Sequence, residues 1–233
     1  MDMQMDAMSA LALALGAAWA SGINLYATVL IIGGLGAAGA VDLPPDLTVL
    51  ESPPVLIAAV VLYALEFLAD KIPGVDSLND MVHTFIRIPA GALLAMGSVS
   101  GISEPWQAAA ALALGGLVSA GSHAAKTGSR ALINTSPEPF SNWFASIFED
   151  VIVLVGLLLA LFKPVVFLIW MAVFALFLIW VLPKLWRGLM TLWQRLQGFR
   201  DQDTSQSSGR SIMTAMRTAP VAPDDKPPLA PRP

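Results

Sequence analysis

The sequence predicts an all-α integral membrane protein with about six transmembrane helices, and three observations carry this prediction. Hydrophobic residues make up 56% of the chain and charged residues only 13%, against roughly 25% charged residues in an average soluble domain. Several apolar runs reach the roughly 20 residues that a helix needs to cross a bilayer. When these runs are placed as six spans, the basic residues collect on one side of the membrane, as the positive-inside rule requires.

The first element is an apolar run over residues 8–41 that is interrupted at Ser21-Gly22-Ile23-Asn24. It is too long for one upright span, so it predicts a long tilted helix or a helix broken near Gly22. The second span starts at Pro53-Pro54, where proline suits a first helical turn, and ends near Ala69. The third runs from about residue 81 to 99, with a kink at its internal proline.

The fourth span covers about residues 106–124, and a further apolar run begins at Trp143. That run is too long for one crossing and contains Lys163-Pro164, which predicts two helices joined by a tight turn. Residues 183–199 mix bases with Leu, Met and Trp, which is typical of an interfacial amphipathic helix. Together, residues 1–200 form the predicted transmembrane domain, and the composition of residues 201–233 predicts a disordered cytoplasmic tail.

Composition excludes several classes of function. The chain has no cysteine, which removes disulfides and thiolate chemistry. Its net charge of −4, without a basic patch, argues against a nucleic-acid partner. No nucleophile triad, phosphate-cradling loop or zinc-helix motif occurs, so the sequence leans against an enzyme and predicts no cofactor. The first six residues carry two acids and no base, which favours a retained first helix over a cleaved signal peptide.

Ionisable residues are concentrated between the second and third spans, from Glu66 to Arg87. Such groups cost a few kcal/mol each at membrane depth, so they normally face a bundle interior and pair with one another. The turn signal at Pro73-Gly74 lets the charged faces of two consecutive helices meet. We therefore expect the segment from Asp70 to Asp80 to fold back against the bundle, with Ile72, Val75, Leu78 and Met81 as its apolar side.

An internal repeat relates residues 8–100 to residues 106–182. Leu13-Ala-Leu-Gly16, followed by Asn24, matches Leu112-Ala-Leu-Gly115, followed by His123, at an offset of about 99. Three spans in each half would place the halves in inverted orientation, as in many secondary transporters. The repeat predicts corresponding breaks at Gly22-Ile23-Asn24 and Gly121-Ser122-His123, and corresponding carboxylates at Glu66 and Glu149.

These patterns define a candidate site for a substrate or an ion, at Asn24, Glu66, Asp70, Asp76, Asp80, His83, Arg87, His123, Lys126, Arg130, Glu149 and Asp150. We expect Glu66 and Glu149 to approach each other or to share a basic partner. Two adjacent carboxylates would favour a bound proton, whereas an interposed Lys or Arg would keep both ionised and favour a structural role. Two histidines in separate halves are a weak signal for a metal, so the metal stays unknown.

Four segments also resemble a known family: residues 21–27, 69–76, 83–87 and 126–142, the last reading Lys-Thr-Gly-Ser-Arg-Ala-Leu-Ile-Asn-Thr-Ser-Pro-Glu-Pro-Phe-Ser-Asn. They are similar to signature segments of the domain-of-unknown-function family 4126, an uncharacterised multi-pass family of bacteria and plants. The resemblance covers about residues 8 to 182. It implies an integral membrane protein and no particular activity.

The leading hypothesis is a small secondary transporter or ion-coupled permease, located in the bacterial inner membrane with both termini cytoplasmic. One alternative is a non-transporting scaffold or assembly factor that uses residues 183–199 and the tail. Another is a lipid-handling protein or flippase that uses Arg87, Lys126 and Arg130 at the headgroup level. Membrane lipids are the expected partners, while a small ion or metabolite as substrate and a homo-oligomer stay open.

Overall fold

In the computed structural model, the described residues are 6–72, 75–101, 103–133, 139–181 and positions 183, 184, 186, 187 and 190. They form helices and no strand, which confirms the all-α prediction. The elements are α1 (Ala7–Ala37), a short 3-10 helix (Pro45–Glu51), α2 (Pro53–Ala69), α3 (Val75–Ser98), α4 (Pro105–Ile133), α5 (Pro139–Phe162) and α6 (Pro164–Val181). The predicted start of α2 and the break between α5 and α6 are both confirmed.

Four of these helices, α1, α4, α5 and α6, are long and apolar enough to cross a membrane. A fifth candidate span arises if the 3-10 helix and α2, which are bent by 66° at their junction, are taken together. Helix α3 is not among the candidates, because its first half carries charged residues. The membrane character of the chain is therefore clear from its helices, whereas length and composition give four or five crossings rather than six.

Helix α1 consists of two helices joined at Asn24, whose backbone angles (φ −147°, ψ 98°) are extended. The Asn24 side-chain oxygen accepts a hydrogen bond from the backbone N–H of Ala27 (2.9 Å), so Asn24 is the N-cap of the second half. Asp6 caps the first half in the same way, through the N–H of Ser9 (2.7 Å). The predicted break near Gly22 is confirmed, two residues further on.

The two halves of α1 double back on each other. A straight helix of this length, 31 residues, would extend about 46 Å. However, Ser9 and Leu13 near its start line the same cavity of about 480 Å³ as residues 39–42 beyond its end. We refer to this arrangement as the α1 hairpin, with its base at residues 6–13 and 38–42 and its tip at residues 21–28. Gly39, at φ +67°, ends the second half in a left-handed conformation that glycine adopts without strain.

The α1 hairpin lies at the centre of the bundle. Its Trp19 side chain is fully buried against Gly156 of α5 and the ring of Trp170 in α6. Ala14 packs on Ala95 of α3, and Gly22 lies against α4. The outer helices expose large apolar side chains instead, as expected for surfaces that contact lipid.

The segment after α2 folds back as predicted, since Asp70 and Asp80 are both buried. The reason is the opposite of the one expected, because Ile72, Leu78 and Met81 are each more than half exposed. The charged side chains lie inside the bundle, and the apolar side chains lie on its outer surface. A bilayer solvates apolar side chains well, whereas a carboxylate needs a partner inside the protein.

The predicted break at Gly121-Ser122-His123 is wrong, because α4 is one helix from Pro105 to Ile133. Only α1 is interrupted where it crosses α4. There α1 supplies carbonyl oxygens as acceptors, and α4 supplies side-chain donors.

Chain contacts divide the protein into two units, residues 1–183 and 184–233. In the second unit, Lys184, Trp186, Arg187 and Met190 are helical and exposed. The rest of the predicted amphipathic helix 183–199, and the tail 201–233, lie outside the described residues.

A candidate ionic site at the α1 hairpin tip

The break in α1 turns backbone carbonyls toward side chains of α4. Carbonyl groups in the last turn of a helix have no partner within the helix, and the helix dipole gives this end partial negative charge. Lys126 Nζ binds the carbonyl oxygen of Ile23 at 3.0 Å, and His123 Nδ1 lies 3.3 Å from that of Gly22. The sequence explains both partners of these contacts. Asn24 ends the first half of α1 and so leaves its last carbonyl groups without helix partners, and α4 presents its polar face at this point.

Seven charged side chains meet beside this break, and we call them the ionic cluster: Glu66 and Asp70 at the end of α2, Asp80 and Arg87 of α3, Lys126 and Arg130 of α4, and Glu149 of α5. The Glu149 side chain is 14% exposed, and the other six are at most 5% exposed. All seven belong to the predicted site.

Lys126 is the centre of the cluster. Its ammonium nitrogen lies 3.1 Å from Asp70 Oδ2, 3.5 Å from Glu66 Oε1, 3.5 Å from Asp80 Oδ1 and 3.4 Å from Glu149 Oε2. The prediction that Glu66 and Glu149 share a basic partner is confirmed. By the criterion stated above, the interposed lysine favours structural pairing of these two carboxylates.

The two arginines close the cluster on either side of Lys126. Arg87 donates to Asp80 Oδ1 at 2.8 Å and also binds Glu66. Arg130 forms a two-pronged contact with Glu149, from Nε at 3.0 Å and from Nη2 at 2.8 Å. Such paired hydrogen bonds fix both carboxylate oxygens and are among the stronger polar contacts in proteins.

The charges of the cluster do not balance. Four carboxylates face three cationic groups, so one negative charge is in excess when every group is ionised. One oxygen of each of Glu66 (Oε2), Asp70 (Oδ1) and Asp80 (Oδ2) is buried without a hydrogen-bond partner. Both oxygens of Glu149 are occupied by Arg130. The excess charge is therefore carried on the side of the cluster formed by α2 and α3.

Lys71 does not supply the missing positive charge. Its ammonium group donates to the Phe67 carbonyl oxygen at 3.1 Å and lies over the Phe67 ring, outside the end of α2. Partial burial lowers the pKa of Lys71 below its ordinary value. The lysine makes its hydrogen bond to the backbone of its own helix rather than to the cluster.

His123 joins three elements of the site. Its Nε2 lies 2.7 Å from Thr84 Oγ1, whose hydroxyl is also 2.9 Å from the Asp80 carbonyl oxygen. Its Nδ1 lies 3.4 Å from Arg87 Nη1 and 3.3 Å from the Gly22 carbonyl oxygen. The imidazole therefore connects α3 with the break in α1.

The remaining predicted residues lie at the edges of the cluster. Asp150 accepts hydrogen bonds from Asn24 Nδ2 (3.0 Å) and from Tyr63 Oη (2.9 Å), both neutral donors. His83 Nε2 lies 3.1 Å from Tyr26 Oη. Asp76 lies on α3, but its side chain is outside the described residues.

Sequence reasoning missed the neutral groups that complete the site. Tyr26, Tyr63 and Thr84 bind the predicted residues, and the hydroxyls of Ser21 and Ser119 both donate to the Arg87 carbonyl oxygen at 3.0 Å. Extending each charged face by one helical turn would have found several of them, since Tyr63 precedes Glu66 by three residues and Ser119 precedes His123 by four.

The His, Asp and Glu side chains of the described residues form no group of three or more that could hold a metal ion. Comparison with known families gives a match, over residues 11–184, to the model described as "Domain of unknown function (DUF4126)". The chain belongs to this family. The matched region contains every residue of the candidate site, so the ionic cluster of this DUF4126 protein lies in the family domain. No curated protein and no solved structure matches the chain.

Proposed function

We propose that this DUF4126 protein is a small secondary transporter, an ion-coupled permease whose site is the ionic cluster at the α1 hairpin tip. The observation that carries the proposal is the ionic cluster itself, six buried charged side chains and the partly exposed Glu149, around an interrupted helix. Transporters of this kind commonly bind their ions at broken helices, where half-helix ends and freed carbonyls meet charged side chains. The contact of Lys126 with the Ile23 carbonyl has this character.

Structural pairing alone predicts a different arrangement. Charges that serve only to join helices are stable when each acid has its base and each buried oxygen has its donor, because an unpaired buried charge costs several kcal/mol. Here acids exceed bases by one, and three carboxylate oxygens lack partners. An exchangeable cation accounts for this imbalance, which supports transport in spite of the central lysine.

The two alternatives have less support. A flippase that held lipid phosphates with Arg87, Lys126 and Arg130 would need those groups accessible, but all three are buried and bound to carboxylates. A scaffold function depends on residues 183–199 and on the tail, most of which lie outside the described residues. We therefore retain the transporter.

The membrane arrangement that fits this proposal is a re-entrant α1 hairpin followed by five crossings, α2 to α6. Helix α1 is long and apolar enough to cross but reverses direction at Asn24, and α3, which is too polar to be a candidate on composition, would cross with Asp80 and Arg87 paired inside the cluster. The hairpin base, the 3-10 helix and Lys163 would face the periplasm, together with the acids Asp42, Asp46 and Glu51. Lys71 and Arg130 would lie toward the cytoplasm of a bacterial inner membrane, as the positive-inside rule favours. The start of α1 would then face the periplasm and the end of α6 the cytoplasm. Inverted repeats are not part of the proposal, because α4 has no break equivalent to Asn24.

The absence of cysteine allows a direct test of this topology. In intact cells, Ala7→Cys and Asp42→Cys should both react with a membrane-impermeant maleimide, because both ends of α1 lie at one end of the bundle. Lys71→Cys, at the other end, should react only after the membrane is opened. Labelling of Ala7→Cys and Asp42→Cys from opposite sides would mean that α1 spans the membrane.

Transport is tested in proteoliposomes that contain a pH or alkali-cation reporter. Glu66→Gln and Glu149→Gln should each remove most of the protein-dependent flux, because each changes the charge of the cluster. Glu51→Gln, in the 3-10 helix and outside the cluster, is the matched control and should keep the flux. Unchanged flux in both cluster variants, with folded protein confirmed by gel filtration, would rule out the coupling role.

A further inference from the structure

We infer that the ionic cluster holds one exchangeable proton, shared by Glu66, Asp70 and Asp80, and that this proton is the coupling ion. The inference rests on the proposed function for the role of the proton in transport, but the presence of the proton can be measured separately. It follows from the charge balance of the cluster, the three oxygens without partners and the groups that surround them.

The first step is the cost of the excess charge. A net charge in a medium of low dielectric constant is unfavourable by several kcal/mol, and a group in that position usually changes its protonation state instead. Arg87 of α3 and Lys126 of α4 contact Glu66, Asp80 of α3 shares both cations with it, and His83 and Tyr26 lie nearby. Asp70 lies one turn along α2, and Glu149 faces it from α5. One proton on a carboxylate gives four acids, three of them ionised, against three cations.

The second step locates the proton. A carboxylic acid needs an oxygen that is not already accepting hydrogen bonds from a cation, and Glu66 Oε2, Asp70 Oδ1 and Asp80 Oδ2 meet this condition. Glu149 does not, since Arg130 binds both of its oxygens. The three carboxyl groups also share Lys126, so we assign the proton to the group rather than to one residue.

The third step is the choice of ion. The described acidic and histidine side chains do not converge as metal ligands do, and a proton needs no coordination shell. Binding is a simple equilibrium, in which a carboxylate and a proton from water give a carboxylic acid, and no other bond forms or breaks. His123 and the hydrogen-bonded Tyr26–His83 pair lie at the edge of the cluster.

Infrared spectroscopy tests this inference on the full-length protein at pH 7. A maltoside detergent is suitable, because it has no ester carbonyl that overlaps the carboxylic acid band. The wild type should show the C=O band of one protonated carboxyl group, and the band should shift to lower frequency in D2O. A wild-type spectrum without this band would overturn the inference, whatever the variants do.

Charge counting predicts the variants. Glu66→Gln, Asp70→Asn and Asp80→Asn each leave three carboxylates for three cations, so each should abolish the band. Glu51→Gln is the control and should retain it. A band that persists in all three cluster variants would place the proton elsewhere and would also overturn the inference.

If the band behaves as expected but proteoliposomes show no flux, the inference of a bound proton holds and the transport proposal fails. If flux depends on Glu66 but the band is absent, transport stands with another ion.

Discussion

Replacing Lys126 with methionine should cause the largest loss of stability of any single substitution in the cluster. Methionine keeps the length of the side chain but removes the charge that four carboxylates share. Removing one partner of a buried ion pair costs about 3 to 5 kcal/mol, which corresponds to a fall in melting temperature on the order of 10 °C for a chain of this size. Thermal unfolding in detergent, followed by the loss of the monodisperse peak, measures the effect.

Lys163→Met is the matched control, because Lys163 is exposed at the junction of α5 and α6. It should melt within a few degrees of the wild type. The loss in Lys126→Met should also become smaller as the pH falls, since protons can then neutralise the carboxylates that the lysine no longer pairs with. Equal melting temperatures for the two lysine variants would show that Lys126 does not hold the cluster together.

Replacing Gly22 with alanine should separate the α1 hairpin from α4. The added methyl group would overlap Ser122 Oγ and the Ser119 carbonyl oxygen, and it would lie 3.1 Å from the His123 backbone nitrogen. Two of these atoms belong to a continuous helix and cannot move away singly. Overpacking of this kind typically costs about 1 to 3 kcal/mol, and sometimes more. The variant should also lose flux, because this crossing positions His123 and Lys126.

Gly34→Ala tests the same change where there is room for it. A methyl group at Gly34 would meet no atom within 4 Å, and alanine is favoured over glycine in a helix interior by roughly 0.5 to 1 kcal/mol. This variant should be as stable as the wild type or slightly more so, with full flux. If Gly22→Ala matched it in both measurements, the close contact between α1 and α4 would have no energetic importance.

Local chemistry made several elements predictable. Proline at positions 53 and 54 fixed the start of α2, and glycine with asparagine in the middle of an apolar run indicated the break in α1. Helical spacing placed Asp80 and Arg87 on one face, and they are in contact. These features depend on residues a few positions apart, so sequence patterns contain them.

Other features depend on geometry that no spacing records. The periodicity on either side of Asn24 shows that a helix stops but not the angle at which the next helix leaves, so the reversal of α1 was not predictable. The sharing of Lys126 by four carboxylates depends on the packing of α2, α3, α4 and α5 together. The hydroxyl groups of Tyr63 and Thr84 were missed because a hydroxyl in a helix costs little free energy, so its presence in the sequence does not by itself indicate a site.

The central position of the α1 hairpin has a consequence for biosynthesis. The hairpin is synthesised before the residues that enclose it, which come from α3, α4, α5 and α6. Its carbonyl groups near the tip accept hydrogen bonds from Ser122 and Lys126 of α4, and lipid cannot replace these donors. The two halves of α1 must therefore remain at the translocon, or at the membrane surface, until the helices that follow them have been synthesised. The hairpin reaches its final contacts only when these later helices pack around it.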